Sequence, residues 1–183
     1  MTSFLVFLII TGIIVGYVIS IYNRLIKLKN NRDQAFADID VQLKQRADLI
    51  PNLVNTVKGY AKHEKDLFEN VSKARSAMLN ASTVDEKIDA DNQLTGALKS
   101  IFALSENYPE LKANENFKQL QMELSDVENK LAAARRFFNN ATKEYNATIQ
   151  MFPYVIIAPM LGFKPGKYFE AADEERKNVK VEF

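Results

Sequence analysis

A chain of 183 residues, 47% hydrophobic and 26% charged, has room for one domain with a buried core and something further. A formal net charge of +1 gives no general excess of Lys and Arg to meet nucleic-acid phosphates. The absence of cysteine excludes disulfides, thiolate metal sites, cysteine nucleophiles and the lipidated cysteine of a lipoprotein.

The first element is "FLVFLIITGIIVGYVISIY", Phe4 to Tyr22, which carries no charge. At about 19 residues and ~1.5 Å per residue it is long enough to cross a ~30 Å hydrocarbon layer, and it predicts a transmembrane anchor over residues 1–22. A cleaved signal peptide would show a basic leader, a shorter apolar core and a small-residue cleavage site; the leader here is Met-Thr-Ser and "SIYNRLIKL" offers no such site. Arg24, Lys27, Lys29 and Arg32 follow the span before the first acid, Asp33. Basic residues beside a span stay cytoplasmic, so the expected topology is single-pass, with the N-terminus outside and the rest of the chain cytoplasmic. Gly12, Gly16 and Ser20 form a ridge of small residues through which two spans could approach, a route to a homo-oligomer.

From Phe36 onward apolar residues recur at steps of three and four: Phe36, Ile39, Leu43, then Ile50, Leu53, Val57 and Tyr60, then Leu67, Val71, Ala74 and Met78. Pro51 falls inside this stripe. In a helix interior it removes a hydrogen bond at a cost of about 3 kcal/mol, whereas in a first turn it costs almost nothing. Two readings fit the residues: a tight turn with Asp48 as the next N-cap, giving helices over 23–47 and 50–80, or one long helix kinked at Pro51. Thr83 and Glu86 have the spacing of a capping box opening a helix that runs to about Asn107 and buries Ile88, Leu94, Leu98, Ile101 and Phe102. Pro109 then suits the first turn of a last helix. Its seam is Phe117, Leu120, Leu124, Val127, Leu131, Ala134, Phe138, Ala141, Tyr145, Thr148 and Phe152, at coiled-coil spacing. At ~60 Å this helix outruns any single partner, so part of it must project or break, with Asn139 and Asn140 the place for a break.

The expected division is therefore an anchor over 1–22, a helical bundle over 23–152, an apolar segment over 153–172 and a polar tail over 173–183. The fold class is all-α: a span followed by an antiparallel up-and-down four-helix bundle, or alternatively three long helices with a kink at Pro51.

"YNRLIKLKN", "AFADIDVQLKQRADLIPNLVNTVKGYAKHE" and "FPYVIIAPMLGFKPGKYFEA" together resemble the LemA family of bacterial membrane-anchored proteins. The resemblance covers nearly the whole chain, and the block from Asp38 to Glu64 is its most specific part. It implies one N-terminal span followed by an antiparallel helical bundle, which favours the turn at Pro51. It implies no reaction, so no functional residue is carried over from it.

The residues themselves offer little chemistry. A di-iron bundle site needs Glu-x-x-His pairs from two helices, but the single histidine, His63, has Tyr60 three residues before it. "HEKDL" is not the zinc-hydrolase motif, no glycine-rich phosphate loop is present, and no nucleophile elbow accompanies His63. The reading is of a non-enzymatic protein without cofactor or metal, acting as a scaffold or docking surface for protein partners the sequence does not name. Asp38, Asp40, Lys44, Arg46 and Asp48 form a dense charged group, read either as a solvated face with i,i+4 pairs or, joined by Asn52, Asn55, Lys58, Tyr60, His63 and Glu64, as a docking surface. "YVIIAPMLGF", Tyr154 to Phe163, is too short to span. It either caps the core or lies at the lipid interface through Ile156, Ile157, Leu161 and Phe163, with Lys164 and Lys167 toward headgroups; the latter gives the alternative function, lipid binding or membrane remodelling. In the tail, alternating Val179, Val181 and Phe183 suit either a disordered segment or an added strand on a partner's sheet.

Overall fold

The computed structural model describes residues 1–169. The Val179, Val181 and Phe183 pattern lies outside them. The elements are α1 (Thr2–Lys58), α2 (Lys65–Asn80), α3 (Val84–Ser105), the short α4 (Pro109–Ala113), α5 (Glu115–Gln150) and α6 (Tyr154–Met160), with no strand among the described residues. The fold is all-α, as the three-four periodicity requires. Contacts divide the chain into two units: one of residues 1–37 and 136–168, the other of residues 38–135 with Phe169.

In the second unit, side-chain pairings give the directions of the helices. Lys58 stands over the Phe68 ring, and Arg75 reaches back to Ala47, so α2 runs antiparallel to α1. Asp40 meets Lys87 and Arg46 meets Thr95, so α3 runs parallel to α1. Asn114 meets Tyr60 and Glu128 meets Arg46, so α5 runs antiparallel to α1. The result is an up-and-down arrangement of four helices around Ile39, Leu43, Ile50, Leu53, Val71, Leu94, Leu98, Ile101, Phe117 and Leu131, all buried.

Pro51 does not make a turn. Helix α1 continues through it to Lys58, and Asp48, the expected N-cap, lies inside the helix. Proline at position 51 has no N–H for the carbonyl four residues earlier, that of Ala47. Arg75 Nε, from α2, donates to that carbonyl at 2.8 Å. A charged donor from a neighbouring helix thus replaces the missing backbone donor, and the proline ring itself is exposed. The chain turns instead at residues 59–64, where the amides of Tyr60 and Ala61 both donate to Val57 O at 3.0 and 2.9 Å. Four helices remain, with the first boundary moved to Gly59; the alternative of one kinked helix as far as Asn80 is likewise interrupted there.

The other signals behave locally. Thr83 accepts from Glu86 N, and the Glu86 carboxylate accepts from the backbone of Ser82 and Thr83, completing the capping box of α3. Those N–H groups, of Ser82 first, and the Ser82 hydroxyl hold the Glu86 carboxyl down at about 2. Pro109 begins only the single turn of α4. Helix α5 starts afresh where Asn114 Oδ1 accepts from Phe117 N at 3.0 Å. It then runs unbroken through Asn139 and Asn140, and its apolar seam ends before Phe152, which is exposed.

The first unit pairs the N-terminal part of α1 with the C-terminal part of α5. From Thr2 to Ser20 every side chain is exposed except half-buried Val18, so this strongly apolar stretch finds no cover among the described residues. Burial begins at Ile21, Leu25 and Leu28, which pack with Tyr145, Ile149, Ala158 and Phe163. Helix α6 ends in a Schellman motif: Phe163 N donates to Ala158 O at 3.0 Å and Gly162 N to Pro159 O at 3.1 Å. Gly162 has φ +80°, the left-handed conformation that this motif requires and that favours glycine. The segment after it is tied down by Tyr145 Oη, which donates to Lys164 O at 3.0 Å, and by Asn146, whose side chain both donates to Gly166 O (2.8 Å) and accepts from Gly166 N (2.7 Å). Arg32 lies so close to Gly166 that a Cβ there would stand 2.5 Å from its Nε.

Because Arg75 substitutes for the amide that Pro51 lacks, the two positions are energetically coupled. Arg75→Ala is expected to lower unfolding free energy by about 1.5 kcal/mol in the natural chain but by about 0.5 kcal/mol in a Pro51→Ala background, where Ala47 regains its backbone donor. A double-mutant cycle by urea denaturation measures this; equal losses in both backgrounds would separate the two residues.

Candidate functional site

Two arrangements in the second unit gather the polar side chains. The first is internal. Asp91 of α3, whose side chain is 3% exposed, accepts from Arg46 Nη1 at 2.8 Å and pairs through its other oxygen with Arg135 of α5. Arg46 Nη2 also lies 2.9 Å from Glu128 Oε2, and Arg135 Nη1 lies 3.6 Å from Glu128 Oε1. Two guanidiniums thus face two carboxylates. Arg46 Nη1 donates further to Thr95 Oγ1 at 3.0 Å, and the Arg135 guanidinium stands 5.1 Å from the Phe169 ring centroid. Burial pushes the Asp91 carboxyl above the ordinary carboxylate range against the opposing pull of Arg135 and Arg46. An open hollow of about 360 Å³ between α3 and α5 has Arg46 and Glu128 in its wall together with Leu98, Phe102 and Leu124. Arg46 and Glu128 are already paired within the network, so the arrangement does structural work.

The second arrangement is an open groove of about 400 Å³ lined by Asn52, Asn55 and Thr56 of α1 and by Asn116, Gln119, Leu120 and Glu123 of α5. Spacings of three residues on both helices aim Asn52 and Asn55 at Asn116 and Gln119. Gln119 Nε2 donates to Glu123 Oε1 at 3.0 Å. Asn52, Asn55 and Asn116 are exposed, and among the described residues no side-chain hydrogen bond draws on their amides. Each amide offers two N–H donors and a carbonyl acceptor. Such a lining can pair with any polar group and carries little charge.

The residues singled out from sequence scatter around α1. Arg46 is 5% exposed and committed to Asp91 and Glu128, so it is withdrawn from any docking surface. Asp40 is exposed but paired with Lys87 of α3. Lys58 is turned to Phe68 of α2, at 5.4 Å from the ring centroid. Asp38, Lys44 and His63 are exposed. Only Asn52 and Asn55 share the groove. Gly12, Gly16 and Ser20 lie exposed along the apolar helix, and a Cβ at either glycine would meet nothing within 4 Å. Of the residues expected at a lipid interface, Ile156 and Leu161 are exposed, but Ile157 is half-buried and Phe163 is 8% exposed, packed inward on the cluster around Leu25. Phe163 belongs to the core because the turn at Gly162 swings it back over Ala158.

Sequence reasoning missed Asp91, Glu128 and Arg135, though a signal was present. Asp91 sits in register with Leu94, Leu98 and Ile101, and Arg135 with Leu131 and Phe138, so each is a charge on an apolar stripe. Asn116 and Gln119 gave no signal alone, because polar residues on an exposed helix face are ordinary. Among the described residues no group of three or more His, Asp or Glu is placed to hold a metal ion.

Removing Asp91 strands two guanidiniums that Glu128 alone cannot neutralise. Asp91→Ala is expected to lower unfolding free energy by about 3 kcal/mol, whereas replacing Arg46, Asp91 and Arg135 together by Met, Leu and Met costs less, both read from urea midpoints. Equal loss in the two variants would mean that side-chain volume, rather than charge pairing, matters at these positions.

Residues 35–183 match the LemA family. The chain is 28% identical over 182 residues to Protein LemA of Metamycoplasma hominis, covering 96% of this chain and 81% of that one. It is 24% identical over 174 residues to the Magnetosome protein MamQ of Magnetospirillum gryphiswaldense, and 23% identical over 175 residues to MamQ 1 of Paramagnetospirillum magneticum. In both cases the match takes in 81% of this chain but only 64% of the relative's length. With the family match extending over most of its length, and an N-terminal helix apolar and long enough to cross a membrane, the chain is a membrane-associated member of the LemA family.

Proposed function

We propose that this LemA-family chain is a non-enzymatic scaffold, anchored in a bacterial inner membrane by the N-terminal part of α1, that docks a partner protein on the amide-lined groove of its second unit. The observation that carries this reading is the convergence of Asn52, Asn55, Asn116 and Gln119 from two antiparallel helices on one open groove. Amides satisfy the peptide groups of an incoming segment without the desolvation cost of charges, which suits recognition of a polar, extended or helical stretch of a partner. The anchor fixes where the groove is displayed. Arg24, Lys27 and Lys29 are exposed just after the span, and an acid first occurs at Asp33, which favours the groove on the cytoplasmic side.

The absence of cysteine makes orientation directly readable. In intact cells freed of any outer membrane, Ser3→Cys is expected to react with a membrane-impermeant maleimide, and Lys73→Cys only after permeabilisation; the reverse pattern overturns the topology. For the groove, a photoreactive benzoylphenylalanine at Asn55 or Gln119 is expected to give one discrete adduct in cells. That adduct disappears with Asn52→Arg and Asn116→Arg and does not form from Lys73 or Asp126. An adduct formed equally from all four positions, or one indifferent to the arginine substitutions, would overturn docking at this groove.

A further inference from the structure

The first unit has an apolar surface that its own packing leaves open. Helix α6 is amphipathic over very few residues: Tyr154, Ile157 and Ala158 turn inward to Ile21, Leu25 and Leu28, together with Phe163. The opposite side, with the turns before and after it, exposes Met151, Phe152, Val155, Ile156, Met160 and Leu161; Phe152 is 79% and Met160 81% exposed. No step of the fold accounts for so many large apolar side chains in water, and none of them belongs to the groove of the second unit.

The position of this surface along α1 identifies its occupant. The uncharged stretch of α1 ends at Tyr22, and Tyr22 meets the Phe163 ring edge-on at 5.9 Å between centroids. Two residues on, the Arg24 guanidinium stands 5.9 Å from the Tyr154 ring centroid. α6 is therefore level with the turn of α1 at which the span leaves hydrocarbon for headgroups, the depth where aromatic and basic side chains collect. The charge of the region has one sign: from Tyr145 to Phe169 there is no Asp or Glu, and none occurs before Asp33, while Arg24, Lys27 and Lys164 are exposed. An apolar surface with a basic margin, continuous with a span, has the character of an interfacial segment on an anionic leaflet.

We propose that residues 151–161 form a second membrane contact, lying in the headgroup layer of the leaflet from which α1 emerges, with Phe152, Ile156 and Met160 reaching the upper acyl chains and the basic residues meeting anionic headgroups. Phe163 and Ile157, expected from sequence to touch lipid, serve instead as the inner face that holds this elbow to α1. The inference rests on α1 as a membrane span and extends it: the chain grips one leaflet at two points, which fixes the rotation of the first unit about the span.

The chain contains no tryptophan, so single tryptophans report unambiguously. The full chain is reconstituted into phosphatidylcholine–phosphatidylglycerol vesicles carrying nitroxide lipids labelled at a shallow or a deep acyl position. Phe152→Trp and Ile156→Trp are expected to emit to the blue of Phe137→Trp, an exposed position of the same unit, and to lose about half their fluorescence to the shallow nitroxide. Phe137→Trp stays unquenched, and Ile13→Trp, at the middle of the span, is quenched by the deep label. If Ile13→Trp is quenched while Phe152→Trp and Ile156→Trp behave like Phe137→Trp, the second contact is refuted and the anchor stands. Blue emission without nitroxide quenching would place another protein surface over the patch and refute it equally. An unquenched Ile13→Trp removes the anchor, and this inference with it.

Discussion

A carboxylate at 3% exposure among three helices has to be met by positive charge, and Asp91 is met from both sides, by Arg46 on α1 and Arg135 on α5. Apolar seams built of Leu, Ile and Val tolerate a helix sliding by a turn, since one aliphatic side chain fills a hole much as another does. A buried ion network does not tolerate it, because a slip strands a charge in a low-dielectric interior. Arg46 carries most of the register of the second unit: it orients α3 through Asp91 and Thr95, and α5 through Glu128. The remaining helix, α2, is held by the other backbone-scale requirement, the Ala47 carbonyl that Pro51 leaves without a donor and that Arg75 takes. Each neighbour of α1 in that unit is thus tied to it by a buried polar group at a defined position.

The first unit solves the same problem with backbone groups. Of its buried polar side chains, Thr142 accepts from Arg32, Asn146 pairs with the main chain of Gly166 and Thr148 donates to Glu144 O, and the glycine lets the strap approach where a Cβ would strike the guanidinium. Arg32 is placed there by stacking on the Phe138 ring, 5.0 Å from its centroid, which in turn touches Phe36. The sequence "GFKPGKYF" therefore works as a clasp. Gly162 reverses the chain, Phe163 plugs the cluster at Leu25, and Gly166 fastens to Asn146.

What could be read from the residues was whatever depends on local periodicity and capping. The uncharged stretch, the Thr83–Glu86 box and most of the two seams each express an interaction within about seven residues of itself: Leu94, Leu98 and Ile101 are buried as expected while Ile88 and Phe102 are half-buried, and α5 buries its seam from Phe117 to Thr148 except at half-buried Ala134 and Ala141. Pro51 defeated the reading because the cost of a proline in a helix is local while its compensation, Arg75, comes from another helix and has no sequence mark. The turn at residues 59–64 was hidden because the expected stripe ran through Tyr60 and Leu67, whereas the structure exposes Tyr60, half-buries Leu67 and buries their neighbours Ala61 and Phe68 instead. Arg46 looked like surface because its neighbours Asp38, Asp40 and Lys44 are surface. Its position three residues after Leu43 and four before Ile50, on the buried stripe itself, was the stronger signal.

The polar side chains of the second unit divide into those the fold consumes and those it leaves over. Some charges are consumed, Arg46, Asp91, Glu128 and Arg135 in the network and Asp40 with Lys87, while others such as Asp38 and Lys44 stay exposed on the surface. The surplus in the groove consists of amides, and this choice has a physical consequence for docking. An amide hydrogen bond exchanged with water nets only about 1 kcal/mol, so a groove of this kind binds a segment weakly and releases it quickly, with little dependence on salt. Weak binding is a defect for a freely diffusing protein but not for an anchored one. A partner in the same membrane meets the groove at a high effective concentration, which multiplies avidity without any further contact. On the proposed reading, the apolar half of α1 and the amide groove are parts of one solution: confinement supplies the affinity, and the groove needs to supply only the choice of partner.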